Sequence, residues 1–248
     1  MASIFNTKGI VLRSIKYGET SLVVTIFTEL FGSQTYMVNG ARSAKKTGNK
    51  AVMYQPGAIL QLQVYHNELK AMHRIKEAGW EVLYKHIFSD VIKNSIVLFM
   101  IELLHKVVRQ PEINNDLFYF CEDCLKHVDE GNAKVAANMP VFFAIHLTHF
   151  LGLKINEDFK NSTGEIYLDL VEGNFTDAAP VHGNYLPPED ALITLEILRT
   201  QHPEELAGLS LNQQKRRQLI MQYMNFYTWH IPDFGQMKTL KILGELLS

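Results

Sequence analysis

Four basic side chains lie within nine residues of one another in the first third of the chain. They are Arg42, Lys45, Lys46 and Lys50. The segment that carries them, residues 39–50, also contains two glycines, two asparagines, a serine and a threonine, a composition typical of a loop. Such a loop can neutralise several phosphates and release their counterions, a gain that carries no base information. The alternative interpretation is a solvated loop that binds nothing.

Further cations come from strand-like segments of the same third. They are Arg13, Lys16, Lys70 and Arg74. Residues 1–80 hold 10 Lys and Arg against 4 Asp and Glu, whereas residues 81–248 hold 14 against 22. The net charge of −2 therefore conceals a basic segment joined to an acidic one. Because the local field steers a phosphate backbone, we expect the first third to face a polyanion.

Two tyrosines in this basic segment, Tyr17 and Tyr36, are candidates for stacking on nucleobases. Each stacked base is worth about 1–3 kcal/mol where a ring is used in this way. An aromatic residue in a strand is more often part of the core, so the alternative for both is packing.

The sequence offers little for metal binding or catalysis. Cys121, Cys124 and His127 follow one another on a single predicted helix, where three ligands cannot easily surround a tetrahedral ion, so we interpret the cysteines as buried structural residues. His146 and His149 lack the Glu of a His-Glu-x-x-His zinc site and are interpreted as core. Phosphate-binding and nucleophile-elbow glycine motifs are missing from the sequence. We expect no metal, no cofactor and no enzyme, although a Ser-His-Asp triad stays open.

The elements that must position these residues change character near residue 80. Five short β-rich runs precede it, over residues 10–15, 21–28, 32–38, 58–65 and 70–75. Closure into a small barrel removes the edges of five such strands, and the five-stranded OB-fold suits this length. We therefore predict an OB-fold nucleic-acid-binding domain over residues 1–80.

A helical domain is predicted for the rest of the chain, residues 81–248. Apolar residues recur at helical spacing over residues 88–109, 115–129, 133–153, 188–200, 210–230 and 236–247. A β-hairpin insert is predicted around residues 164–177, with its turn at Glu172-Gly173. The fold class is α+β, and 248 residues suffice for both domains.

Neither a membrane nor a secretory pathway is indicated. The longest apolar runs, residues 96–101 and 139–145, are far shorter than the roughly 18 residues that a membrane span needs. The first 15 residues lack the order of charged, apolar and small residues that marks a signal peptide. We expect a cytoplasmic protein without membrane partners.

Several short segments of the chain form a recognisable series in their order and spacing. They are Thr7-Lys8-Gly9-Ile10-Val11-Leu12, Tyr17-Gly18-Glu19-Thr20-Ser21-Leu22, Thr28, Gly32, Gly40-Ala41-Arg42-Ser43, Gln55-Pro56 and Lys238-Thr239-Leu240. Together they resemble the RecO family of bacterial DNA repair and recombination mediators. The resemblance implies a non-enzymatic mediator that binds and anneals single- and double-stranded DNA. It also implies that RecR and single-stranded DNA-binding protein are partners in loading RecA, and that the protein is associated with the nucleoid. The alternative is a protein-interaction adaptor that does not bind DNA directly.

The chain departs from the family in one respect. Many members carry a four-cysteine zinc site after a helix that ends in a Leu-Gly pair, here Leu151-Gly152, but residues 155–181 contain no cysteine. Four thiolate or imidazole ligands are needed, and His182 is the one such residue nearby, so we expect the hairpin without the metal.

The resemblance also makes the helical domain the expected receptor for the C-terminal tail of single-stranded DNA-binding protein, an acidic peptide with an apolar end. Such a tail needs an apolar pocket with cations beside it. The candidate cations are Lys215, Arg216 and Arg217, with Lys134 as a further candidate. The alternative for each is a solvated helix face.

Overall fold

The computed structural model describes residues 3–43, 50–153, 155–156 and 164–246, with residues 245 and 246 described by their backbone alone. The chain forms two compact units, residues 1–126 and residues 127–248. Their division lies within a helix, so each unit is described by itself. The predicted domain boundary after residue 80 is a different division, based on the change of periodicity, and it stays a prediction.

The first unit contains a closed five-stranded barrel. Its strands are β1 (Ser3–Tyr17), β2 (Ser21–Thr28), β3 (Gly32–Val38), β4 (Ile59–His66) and β5 (His73–Trp80). The strand order β1-β2-β3-β5-β4 confirms the predicted OB-fold. A 3₁₀ helix, Lys50–Tyr54, precedes β4.

β1 is much longer than the predicted run because it pairs with two neighbours in turn. Its first half, from Ser3 to Ile10, lies antiparallel to β4, and its second half lies antiparallel to β2. Gly9 lies where the two pairings meet, and a Cβ there would approach Ile26 Cγ2 to 2.5 Å. Only glycine fits between these strands without displacing the core.

Alternation along the strands separates an inner from an outer barrel face. Leu22, Val24 and Ile26 of β2 are buried in the barrel core, while Val23 and Thr25 between them are half-buried on the outer face. Each fully buried aliphatic side chain contributes about 1.5–3 kcal/mol, which makes a slip of one residue in register prohibitive. The core residues therefore determine which side chains face outward.

Six α-helices follow the barrel within the described residues. They are α1 (Val91–Val107), α2 (Asn115–Glu130), α3 (Ala133–Phe150), α4 (Pro188–Arg199), α5 (Gln213–His230) and α6 (Thr239–Leu246). α1 and α5 begin three residues later than predicted because polar side chains cap them there. Asp90 accepts hydrogen bonds from the N–H groups of Ile92 and Lys93, and Asn212 accepts one from Lys215.

The second unit is built around α3. Both Phe142 and Phe143 are buried, and the hydroxyl of Tyr227 in α5 donates a 2.7 Å hydrogen bond to the carbonyl of Ala144. The amide of Asn138 donates to the carbonyls of Leu206 and Leu209, beside the 3₁₀ helix Pro203–Ala207. These two buried polar side chains are thus hydrogen-bonded, as burial requires.

The predicted β-hairpin is present, and it is part of a three-stranded sheet. Strands β6 (Tyr167–Asp169) and β7 (Asn174–Thr176) form the hairpin, and β8 (Tyr185–Leu186) pairs with the other edge of β6. Sequence analysis missed β8 because two residues are too few for a periodic signal.

Asp169 organises this sheet through hydrogen bonds, in the part of the chain where a hairpin without zinc was predicted. Its carboxylate accepts hydrogen bonds from the N–H groups of Val171 and Glu172 at 2.8 and 3.1 Å, and its second oxygen lies 3.0 Å from His182 Nε2. Burial opposes ionisation, but the hydrogen bonds outweigh it and lower the pKa of Asp169. Among the described residues no group of three or more His, Cys, Asp and Glu side chains could hold a metal. The donor set does not fit the family's zinc.

We predict that the stability of this sheet depends on Asp169 and not on a metal. Excess EDTA should leave the melting temperature unchanged, and elemental analysis should find well under one zinc per chain. Asp169→Ala, in contrast, should cost about 1–3 kcal/mol because it leaves two turn N–H groups and His182 without their acceptor. Stoichiometric zinc whose removal lowers the melting temperature would contradict this prediction.

Candidate nucleic-acid interface

A continuous row of outward side chains crosses all five strands of the barrel. Direct cross-strand pairing links its members in the order Ile4, Tyr65, Arg74, Met37, Val23 and Ile15. Directly paired residues project from the same face of a sheet. We call this set the outer row. It is apolar except for Arg74, and Arg13 lies two residues before Ile15 on the same face of β1.

The β4–β5 hairpin tip places Lys70 beside Tyr65 and Arg74 of the outer row. Its turn is held by Asn67, whose side-chain oxygen accepts a hydrogen bond from Leu69 N–H and whose carbonyl accepts one from Lys70 N–H, both at 2.9 Å. An open groove of about 660 Å³ next to the tip is lined by Lys70 and Arg74 together with Tyr65 and Met72. Two cations and an exposed ring therefore share one groove.

A second basic group surrounds the β1–β2 turn. Lys16 and Arg42 line a cavity of about 420 Å³ there. Arg42 N–H donates a 2.9 Å hydrogen bond to the carbonyl of Thr20, and the guanidinium lies 3.4 Å from the carbonyl of Gly18. Lys50 is exposed at the start of the 3₁₀ helix, whereas Lys45 and Lys46 lie outside the described residues.

Two further basic residues, Lys106 and Arg109, lie at the C-terminal end of α1 and were not among the predicted DNA-binding residues. Arg13, Lys106 and Arg109 lie close enough to His105 to add to the effect of burial, which is the main cause of its lowered pKa. Lys106 and Arg109 lie beyond residue 80 and were therefore counted with the acidic part of the chain. Their position in and just after the last turn of a helix was the available signal.

The three tyrosines in the strands of the barrel differ in accessibility. Tyr36 is fully buried, so it cannot stack on a nucleobase and the packing alternative holds for it. Tyr17 is 58% exposed beside the β1–β2 turn, and Tyr65, which sequence analysis did not select, is 37% exposed. The missed signal was the strict alternation of β4, in which buried Val64 directs Tyr65 outward.

The helical unit contains an apolar cavity of about 310 Å³ between α5 and α6. Ile220, Met237, Leu240 and Leu243 contribute apolar surface, and three cations line it: Arg216, Arg217 and Lys241. Two of the four predicted partner-binding residues, Arg216 and Arg217, therefore meet at one site, while Lys134 is exposed in the first turn of α3.

Lys215 has a different environment from its neighbours in the triplet. Its ammonium lies 2.7 Å from Asp190 and 2.8 Å from Glu189, and 16% of its side chain is exposed. Hydrogen bonds to these carboxylates raise the pKa of Lys215. Its predicted role in partner binding stays a prediction, but the ammonium is engaged within the α4–α5 contact.

Comparisons with known proteins agree with this geometry. The family model for the N-terminal part of recombination protein O matches residues 1–81, and the model for its C-terminal part matches residues 88–240. The chain belongs to the RecO family. DNA repair proteins RecO from Bacteroides fragilis and Phocaeicola vulgatus are 32% and 29% identical to it, over 97% and 98% of this chain and 98% of each relative. The RecO protein of Flavobacterium psychrophilum is 30% identical over 98% of both chains.

The predicted DNA-binding residues and the predicted partner-binding residues lie in different family matches. All eight predicted DNA-binding residues lie within the N-terminal match, and Lys134 and the basic triplet lie within the C-terminal match. Across the part of the chain that the structure describes, no helix is long and apolar enough to cross a bilayer.

Three rings of this RecO-family barrel form a stack against its core. The ring centroids of Phe31 and His66 are 3.9 Å apart, and those of His66 and His73 are 4.5 Å apart. Burial lowers the pKa of both imidazoles. Glu68 partly offsets this effect at His66, whereas His66 and Lys70 reinforce it at His73. Both rings therefore favour the neutral form more strongly than a free imidazole does.

We predict that acid weakens the folded state through this stack. In the unfolded chain the imidazole pKa is near 6.5, and in the folded protein it is lower for both histidines. The unfolded state therefore takes up protons first as the pH falls below 7. The stabilisation is thus present above about pH 6.5 and is lost below it. Urea unfolding between pH 5 and 7.5 should show a smaller pH dependence for His66→Phe, which keeps a ring but cannot titrate. An unchanged pH dependence would exclude His66 as a contributor.

Proposed function

We propose that this chain is a non-enzymatic recombination mediator that binds and anneals single- and double-stranded DNA. With RecR, it would help to load RecA onto DNA coated by single-stranded DNA-binding protein, in the cytoplasm and at the nucleoid. The observation that carries the proposal is the basic exterior of the barrel, where Arg13, Lys70 and Arg74 accompany an exposed tyrosine. Dispersed cations with an aromatic ring suit a phosphate backbone read without sequence preference.

A salt titration of DNA binding tests the proposal. Fluorescence anisotropy with labelled oligonucleotides of unrelated sequence should give similar affinities that fall steeply between 50 and 200 mM salt. The adaptor alternative expects no affinity at any salt concentration. Strong preference for one sequence, or affinity that salt does not change, would contradict a backbone-reading mode.

The basic loop has its own test. Replacing Arg42, Lys45 and Lys46 together by alanine should weaken binding to all sequences and flatten the salt slope on duplex DNA by up to about three units, one for each lost phosphate contact. A folded triple variant with unchanged affinity would show that the loop is solvated and not part of the interface.

We also propose the α5–α6 cavity as the receptor for the tail of single-stranded DNA-binding protein. Apolar walls of Ile220, Met237 and Leu243 suit the terminal side chain, and Arg216, Arg217 and Lys241 suit its carboxylates. Half-buried Arg216 also donates to the carbonyl of Leu211, so its replacement carries a structural cost.

Calorimetry with the synthetic tail peptide tests this site. Arg217→Ala with Lys241→Ala should weaken binding at least tenfold, since each removes a charge-assisted hydrogen bond of about 1.5–3 kcal/mol. Lys134→Ala provides the comparison outside the cavity. Loss of binding in Lys134→Ala alone would move the receptor to α3, and no binding by the unmodified protein would refute the partner assignment.

A further inference from the structure

Tyr65 is the one aromatic member of the outer row, and its neighbours leave its ring accessible. Ile4 on β1 and Arg74 on β5 are its direct cross-strand partners. Preceding Val64 is fully buried, whereas Tyr65 is 37% exposed. Within the described part of the chain, no other aromatic ring stacks on it. An exposed ring held on a rigid strand is a ready stacking platform.

The groove beside this ring has apolar walls that suit a planar ligand. Met37 and Met72 line it with Tyr65. Met72 is 44% exposed. Thioether side chains are flexible and polarisable, so they adapt to the edges of a ring that enters the groove. These walls can accommodate a purine or a pyrimidine without selecting one.

Two cations flank the same groove. Arg74 is the cross-strand neighbour of Tyr65, and Lys70 lines the groove from the hairpin tip. Hydrogen bonds from the turn to Asn67 hold that tip in place. Among the described residues neither cation forms a salt bridge. Both are therefore available to phosphates on either side of a bound base.

We propose that this groove is a subsite for one unpaired nucleobase of single-stranded DNA, stacked on Tyr65, with its flanking phosphates bound by Lys70 and Arg74. The inference rests on the proposed DNA-binding function and adds a preference for single strands to it. A base in a duplex is already stacked and paired, so it cannot reach the ring without the cost of unpairing.

A protein partner is the competing occupant, and the charges count against it. Lysine is depleted at protein interfaces, and a protein partner would have to supply carboxylates to compensate two neighbouring cations buried there. Here Arg74 occupies the middle of the outer row, and Lys70 lines the groove with it. Aromatic and cationic groups that alternate in this way match the alternating bases and phosphates of a single strand.

The experiment compares Tyr65→Ala, Tyr65→Phe and Arg74→Ala with the unmodified full chain. Anisotropy on single-stranded and duplex oligonucleotides of equal length should show that Tyr65→Ala weakens single-strand binding about 5-fold to 100-fold and duplex binding less than twofold. Tyr65→Phe should bind like the unmodified protein, because stacking needs the ring and not the hydroxyl. Arg74→Ala should weaken both, since phosphate contacts do not distinguish the two forms.

A single strand that contains 2-aminopurine supplies a second readout. Its fluorescence should change on binding to the unmodified protein and to Tyr65→Phe, and the change should disappear with Tyr65→Ala. The subsite would be refuted if Tyr65→Ala weakened binding to single-stranded and duplex DNA equally. It would also be refuted if Tyr65→Ala had no effect while Arg74→Ala weakened binding. Either result would still be consistent with binding of the DNA backbone by the barrel. Loss of RecR binding with unchanged DNA binding would assign the groove to a protein. Absence of all DNA binding in the unmodified protein would refute the proposed function itself.

Discussion

Replacing Arg13, Lys70 and Arg74 together by alanine should lower the affinity for single-stranded DNA about 100-fold at 0.1 M salt. Each phosphate contact on a single strand contributes about 0.7 to the slope of log affinity against log salt, so three contacts account for about two units. The three cations come from β1, the β4–β5 tip and β5, which the barrel brings to one exterior. The affinity loss should therefore shrink steadily as salt is added and become small near 1 M. Anisotropy titrations at four or five salt concentrations measure both quantities.

A matched charge change elsewhere separates local contacts from net charge. Lys134, Arg199 and Lys241 are exposed cations of the helical unit, and their triple alanine variant carries the same total charge. It should retain the salt slope of the unmodified protein to within about half a unit. Equal effects of the two triple variants would mean that overall charge, and not the barrel exterior, controls binding.

Asp190→Ala should destabilise the helical unit by about 3–5 kcal/mol, the usual cost of breaking a buried ion pair from one side. Asp190 is fully buried in α4. Its carboxylate accepts hydrogen bonds from Lys215 at 2.7 Å, Gln218 at 2.7 Å and Gln222 at 3.2 Å, all from α5. Loss of that carboxylate removes the acceptor of Gln218 and Gln222 and leaves Lys215 paired with the exposed Glu189 alone. Because α5 also lines the proposed tail cavity, peptide binding should weaken in parallel.

The two tryptophans allow this effect to be measured in one unit. Trp80 belongs to the barrel and Trp229 to α5, so urea unfolding of a Trp80→Phe background reports on the helical unit. Glu189→Ala provides the control, since its carboxylate binds the same lysine but its side chain is 74% exposed. An exposed pair contributes at most about 1 kcal/mol. Similar losses for the two variants would show that Asp190 does not carry the α4–α5 contact.

Local patterns predicted most elements of this fold correctly. The bounds of β2 and β3 agree with those predicted from β-rich composition and a glycine turn, and α2, α3 and α4 begin at the predicted residues. The two-residue period of a strand and the 3.6-residue period of a helix can both be recognised within a short stretch of sequence. Each depends only on which side chains that one element must bury. The basic character of the first third is likewise a property of composition, and it needed no coordinates to be recognised.

Lateral register, in contrast, depends on residues far apart in the chain. β3 and β5 close the barrel through Tyr36 with His73 and Met37 with Arg74, and no local pattern of residues 36 and 37 indicates that pairing. The same contacts bury Tyr36, expose Tyr65 and bring Lys70 and Arg74 to one groove. In the helical unit, only the packing of α4 against α5 distinguishes Lys215, which binds buried Asp190, from Arg217, which lines a cavity. Residue type and spacing specify which groups are present, but burial and long-range pairing specify which of them meet, because those depend on the packing of the whole core.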